Sequence, residues 1–94
     1  MELSEIVAEV EFLMNVNRLP LWEIHLRVNP DKHDLDVLTS YLGLERYAKK
    51  ENMKFDEETL FTGSRVPCVY IEKENYNLRL FAYGVRKQKR YKKV

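Results

Sequence analysis

Ninety-four residues, 45% hydrophobic and 33% charged, can build one core and not two, and are too apolar to stay unfolded. No apolar run approaches the ~20 residues of a membrane helix, so no membrane partner is expected. The acidic N-terminus is unlike a secretory leader, and the single cysteine, Cys68, cannot close an internal disulfide, which together point to a reducing, cytoplasmic setting.

The net charge of +1 conceals a division. Arg86, Lys87, Lys89, Arg90, Lys92 and Lys93 crowd the C-terminus, leaving ten basic residues against 15 acids in the rest of the chain. Residues 1–85 are therefore expected to form one acidic α+β domain, and residues 86–94 a basic C-terminal tail. Such a tail attracts polyanions, whereas the body does not.

Along the chain, Leu3, Ile6, Val7, Val10, Leu13 and Met14 share one face at helical spacing, which predicts a helix over 3–15. Glu2, Glu5 and Glu9 suit the positive end of its dipole, and Ser4 is the candidate cap. Phe12 projects off the stripe, either over neighbouring structure or toward a subunit contact. Asn17 to Pro20 reads as a turn. Trp22, Ile24, Leu26 and Val28 then alternate with Glu23, His25 and Arg27, the period of a half-buried strand. Asn29-Pro30 reads as the start of a second helix burying Leu35, Leu38 and Leu42. Gly43 ends or bends it, and Leu44 to Asn52 continues helically with Glu45 and Lys49 as an i,i+4 pair.

Beyond Asp56-Glu57-Glu58 the pattern turns to β. Leu60 and Phe61 suggest a short strand, and residues 66–73 and 77–85 an antiparallel hairpin. Pro67 marks the start of its strand or an edge. The expected order is α-β-α-β-β-β, with helices packed on an antiparallel sheet. Both hairpin faces carry apolar groups: Cys68, Tyr70, Leu78, Leu80 and Ala82 in one set, Val69, Ile71, Phe81, Tyr83 and Val85 in the other. The Phe81/Tyr83 face is expected to be covered by protein, a dimer partner or a ligand.

Catalytic and metal chemistry find little footing. His25, His33 and Cys68 lack zinc spacing, and His25 is expected on the polar face of its strand beside Glu23 and Arg27. The acids 56–58 read as a solvated loop. Gly-rich phosphate loops are absent, which excludes Rossmann and P-loop nucleotide sites, so neither a cofactor nor a metal is expected. The last thirty residues are different. Arg79, Phe81, Tyr83, Arg86, Lys87, Lys89, Arg90, Tyr91, Lys92 and Lys93 interleave rings for stacking with cations for phosphates. They are the candidate contact residues of a small nucleic-acid-binding regulatory protein, of the kind carried by a virus, phage or mobile element, with RNA and DNA both open. The alternative is a protein-binding inhibitor or adaptor, using the acidic first helix or the hairpin face. In either case a homodimer is possible and an enzyme is not the leading expectation.

Gly63-Ser64-Arg65, the strand VPCVYIEKENYN, the strand LRLFAYG and the segment VRKQKRY together resemble the C-terminal half of the RelE/HigB family of ribosome-dependent endoribonuclease toxins. The likeness covers about thirty of the 94 residues. It implies that Arg65, Arg86 and Tyr91 match the family's RNA-cleaving positions, with Lys49, Lys50 or Lys54 near its lysines. The implied chemistry is metal-independent attack of a ribose 2′-OH on the adjacent phosphate, with Arg and Lys offsetting the developing charge.

Overall fold

The computed structural model describes residues 2–59 and 65–83. The elements are α1 (Leu3–Val16), β1 (Glu23–Arg27), β2 (His33–Thr39), α2 (Tyr41–Lys50), β3 (Asp56–Thr59), β4 (Arg65–Glu72) and β5 (Tyr76–Ala82). They form a single α+β domain with helices packed on a sheet that ends in a hairpin, as the sequence implied.

The first helix lies where its apolar stripe put it. Ile6, Val10 and Met14 are its buried row and Leu13 packs partly buried beside them, whereas Leu3, at the first turn, is exposed and not part of the packed stripe. Its cap is Glu2 rather than Ser4, which falls inside the first turn; the Glu2 N–H donates to Glu5 Oε1 at 3.1 Å. The helix ends in a Schellman motif. Leu19 N–H donates to Met14 O at 2.8 Å and Arg18 N–H to Asn15 O at 3.1 Å, with Arg18 left-handed at φ 55°. The turn thereby drops Leu19 into the core beside Met14. The second helix ends the same way, through Met53 N–H to Ala48 O and a left-handed Asn52. Arg46 Nη2 joins the two by donating to the carbonyls of Asn17 and Arg18, at 2.8 and 3.1 Å.

Between β1 and α2 the structure departs from the expected helix. Asn29-Pro30 opens a hairpin turn, not a helix, because the Asn29 amide donates to Lys32 O (3.1 Å) and Asp34 Oδ2 (2.7 Å) and folds the chain back on itself. Residues 33–39 then form β2, so the order is α-β-β-α-β-β-β. Leu35 and Leu38, three apart, suggested a helical face. Strand pairing on both sides selects the period of two instead, with Leu35, Val37 and Thr39 inward and Asp34, Asp36 and Leu38 outward.

The helix begins only at Tyr41, where Ser40 Oγ accepts from Gly43 N–H at 3.1 Å. Gly43 thus sits in the first turn rather than at an end or bend. A Cβ there would lie 2.7 Å from Ser40 Oγ and 3.1 Å from Leu19 Cδ2, so a larger residue would have to push the capping hydroxyl and the Leu19 side chain aside. Leu42 is 73% exposed and is not part of the buried face. Ser40→Ala removes the cap and is expected to cost about 1 kcal/mol, measurable as a lower midpoint in denaturant with unchanged slope.

Among the described residues, five strands run in the order β1-β2-β5-β4-β3. The sheet is mixed, since β2 and β5 are parallel while the other neighbours are antiparallel. Strand β4 begins two residues before Pro67 and lies between β5 and β3, so Pro67 does not mark an edge; it opposes Glu57 of β3. That short strand covers 56–59, where a loop of acids was expected, and Leu60 and Phe61 lie outside the described residues.

One face of the sheet carries the main core. Leu35, Val37, Val69, Tyr76, Leu78, Leu80 and Ala82 pack there against Ile6, Val10 and Met14 of α1 and Leu44, Tyr47 and Ala48 of α2. The opposite face holds a separate, smaller cluster of Val66, Cys68 and Phe81, with Leu38 against it and no described helix residue. The register sets Cys68 opposite Phe81 and Tyr70 opposite Arg79. Cys68 and Tyr70 therefore share the Phe81 side, not the Leu78/Leu80 side to which alternation alone had assigned them.

Candidate functional site on the outer sheet face

The face away from the helices is organised in levels by the strand register. At one level His25, Asp36, Arg79 and Tyr70 follow one another across β1, β2, β5 and β4. Asp36 is buried in the middle of this row, which a carboxylate tolerates only with charged partners. Arg79 supplies a bidentate pair, Nε to Oδ1 at 3.0 Å and Nη2 to Oδ2 at 2.8 Å. Arg27 adds Nη1 to Oδ2 at 2.7 Å.

Burial pushes the Asp36 carboxyl up, but the hydrogen bonds and charges of Arg79 and Arg27 outweigh it, so its pKa lies below the ordinary carboxylate value. The Asp36 bond correspondingly raises the pKa of Arg79. At the next level Asp34 accepts from Asn77 Nδ2 (3.0 Å) and Asn29 Nδ2 (2.7 Å). A shallow cavity of about 230 Å³ opens over this network, lined by Arg27, Asp34, Asp36, Tyr70, Asn77 and Arg79. The cluster carries two guanidiniums and two carboxylates, so it balances charge and orders the central strands.

Along β5 the candidate contact residues divide. The Arg79 guanidinium is engaged with Asp36. Phe81 is 4% exposed, its ring packed with Val66, Cys68 and Leu38. Tyr83 is 46% exposed and meets Phe81 edge-on, with ring centroids 6.0 Å apart at 78°. The three share one face and one strand line, but only Tyr83 presents much of its ring to solvent. Arg86, Lys87, Lys89, Arg90, Tyr91, Lys92 and Lys93 lie outside the described residues, as does Val85.

Of the residues implicated by the toxin resemblance, Arg65 opens β4 on the surface, Lys49 and Lys50 close α2, and Lys54 follows it. Lys50 Nζ donates to Asn17 Oδ1 at 2.8 Å. Arg86 and Tyr91 are again outside the described residues. His25 stands on the polar face with Nε2 3.0 Å from Glu23 Oε1, the placement its alternation implied. Among the described residues, no group of three or more His, Cys, Asp and Glu side chains is arranged to hold a metal ion, and no helix is long and apolar enough to cross a membrane.

Sequence reading missed Asp36, Asn77, Tyr70 and the partnership of Arg27. The available signal was the alternation of Asp34 and Asp36 with Leu35 and Val37, which places two acids on one strand face.

A second, larger cavity of about 490 Å³ lies between the C-terminal halves of α1 and α2 and the β4–β5 turn, with Phe12, Tyr47, Lys50 and Lys73 on its walls. Tyr76 OH donates to Glu9 Oε1 there at 2.8 Å, and burial together with that carboxylate raises the Tyr76 pKa. Phe12 projects into solvent at this rim, so it does not cover the core.

No family model matches the chain, and neither the curated proteins nor the solved structures contain a significant match to it.

Proposed function

We propose that the protein is a small nucleic-acid-binding regulatory protein in which the cations between Arg86 and Lys93 engage phosphates and Tyr83 supplies a stacking ring. The observation that carries this reading is the exposed Tyr83 ring just past the end of β5, three residues before the first of six closely spaced cations. A stacking ring beside a cationic segment is the combination that binds single strands without strict sequence preference. The acidic body confines the attraction to that end of the molecule, because phosphates are repelled elsewhere. Arg79 takes no direct part in this reading. Its charge is matched by Asp36, and it stiffens the strand that leads to Tyr83.

Replacing Lys89, Arg90, Lys92 and Lys93 with Ser is expected to weaken binding to all sequences alike. It is also expected to flatten the dependence of log affinity on log salt, by roughly 0.7 to 0.9 for each phosphate left without its cation. Tyr83→Ala is expected to cost about 1–3 kcal/mol of single-strand affinity without moving the salt slope. Fluorescence anisotropy across a salt series reads both effects. Wild-type protein that binds neither RNA nor DNA at low salt ends this reading. The protein-binding alternative then takes its place, favoured by the apolar side chains exposed on and beside β1, such as Trp22, Leu26 and Val28.

A further inference from the structure

Among the described residues, strand β1 is an edge of the sheet, with β2 as its neighbour in the strand order. An edge strand directs alternate N–H and C=O groups away from its sheet, ready to pair with another strand. This one is also flanked by unusual exposure. Leu21, Trp22, Leu26 and Val28 are among the exposed large apolar side chains, Trp22 and Val28 at 59% and 62%. Trp22, Ile24, Leu26 and Val28 fall on one side of the strand, and Glu23, His25 and Arg27 on the other. Pro20 and Pro30 bracket the run and limit pairing to the residues between them.

We infer that this edge joins a second copy of the chain, β1 against β1 in antiparallel register about a two-fold axis at His25. The segment Trp22–Val28 is self-complementary about that point. Each Glu23 faces the other copy's Arg27, each Ile24 its Leu26, and each Trp22 its Val28. Opposite charges therefore meet opposite charges on one face, and apolar groups meet apolar groups on the other, which is the pairing that stabilises neighbouring antiparallel strands. A two-fold axis makes each contact occur twice, as a closed dimer requires.

The side chains are available for it. Glu23 is half exposed although its Oε1 lies 3.0 Å from His25 Nε2, and Arg27 is half exposed although its Nη1 is held by Asp36. The other edge strand, β3, has the sequence DEET; paired with itself it would bring acids near acids. The sheet would thus continue through the dimer as ten strands, joined at β1 and not at the Phe81/Tyr83 face. The nucleic-acid reading is not a premise of this pairing, and the tail variant described above leaves β1 intact, so either can fail without the other.

Sedimentation equilibrium of the full chain at micromolar concentration is expected to give twice the 11.3 kDa monomer mass. Glu23→Arg sets Arg against Arg twice per dimer, and is expected to raise the dissociation constant about tenfold or more with the melting curve of dilute protein unchanged. Val28→Asp, at a solvent-exposed position, tests the apolar half of the interface and is expected to act in the same direction. His25→Cys places two thiols at the axis and is expected to form a covalent dimer on mild oxidation, while wild type, whose Cys68 is buried, does not. A wild-type monomer throughout the micromolar range overturns the inference. So does a dimer that withstands both Glu23→Arg and Val28→Asp.

Discussion

Val10→Asp is expected to remove a large share of the stability of the domain. Val10 is fully buried in the middle of the row through which α1 packs on the sheet, between Ile6 and Met14. The described structure gives the new carboxylate no cation to meet there, because the core around it is made of Leu35, Val37, Leu78, Leu80 and their neighbours. The substitution loses the transfer energy of the valine and adds the cost of burying a polar group without a partner, together about 3–5 kcal/mol. A domain of this size has a total stability of the same order, roughly 5–10 kcal/mol. Each kcal/mol moves the melting temperature of such a domain by about 4–8 °C, so circular dichroism on heating resolves the effect easily. Ala8→Asp, on the exposed side of the same helix, is the control and is expected to cost only about 1 kcal/mol, from helix propensity and the nearby Glu5 and Glu11. A Val10→Asp protein that melts like wild type would mean that α1 is not seated on the sheet.

Asp36→Ala is expected to be the second most damaging change, for the opposite physical reason. It removes a charge from a place built for one, and leaves Arg79 largely buried with its bidentate acceptor gone. Breaking a fully buried pair costs about 3–5 kcal/mol; here Arg27 keeps its exposure to solvent, so about 2–4 kcal/mol is the expected loss. The same site sets a pH dependence. The folded-state pKa of Asp36 lies below its unfolded value, so the ionised group stabilises the fold above about pH 4, the unfolded carboxylate value, and that contribution is lost as pH falls through the folded pKa. Asp36→Asn is expected to remove this component. Its stability relative to wild type should then be lowest near neutral pH and approach wild type in acid. Urea midpoints measured from pH 7 downward give the difference directly, and a constant gap across that range would show that Asp36 does not titrate as described.

What the sequence alone determined were the elements whose periodicity had no competitor. The α1 stripe from Leu3 to Met14 could satisfy only a helix, and the alternation from Trp22 to Val28 only a strand. The β-branched and aromatic runs flanking Glu74 and Asn75 could satisfy only a hairpin. The charge division between body and tail was equally plain, because it is a property of composition and needs no fold. Residues 29–42 were ambiguous, since Leu35, Leu38 and Leu42 match a helix while Leu35, Val37 and Thr39 match a strand. The decision between them was tertiary. Strands β1 and β5 offer hydrogen-bond partners on both sides of residues 33–39, and Arg27 and Arg79 arrive to neutralise Asp36, which a solvent-facing helix would not have needed. The partition of the hairpin residues between two faces was tertiary as well, because alternation within each strand says nothing about which residue of one strand lies opposite which of the other. Register, which opposes Cys68 to Phe81 and Tyr70 to Arg79, decided that Phe81 is a buried residue of the outer face, while the Tyr70 and Tyr83 rings on that face stay open to solvent.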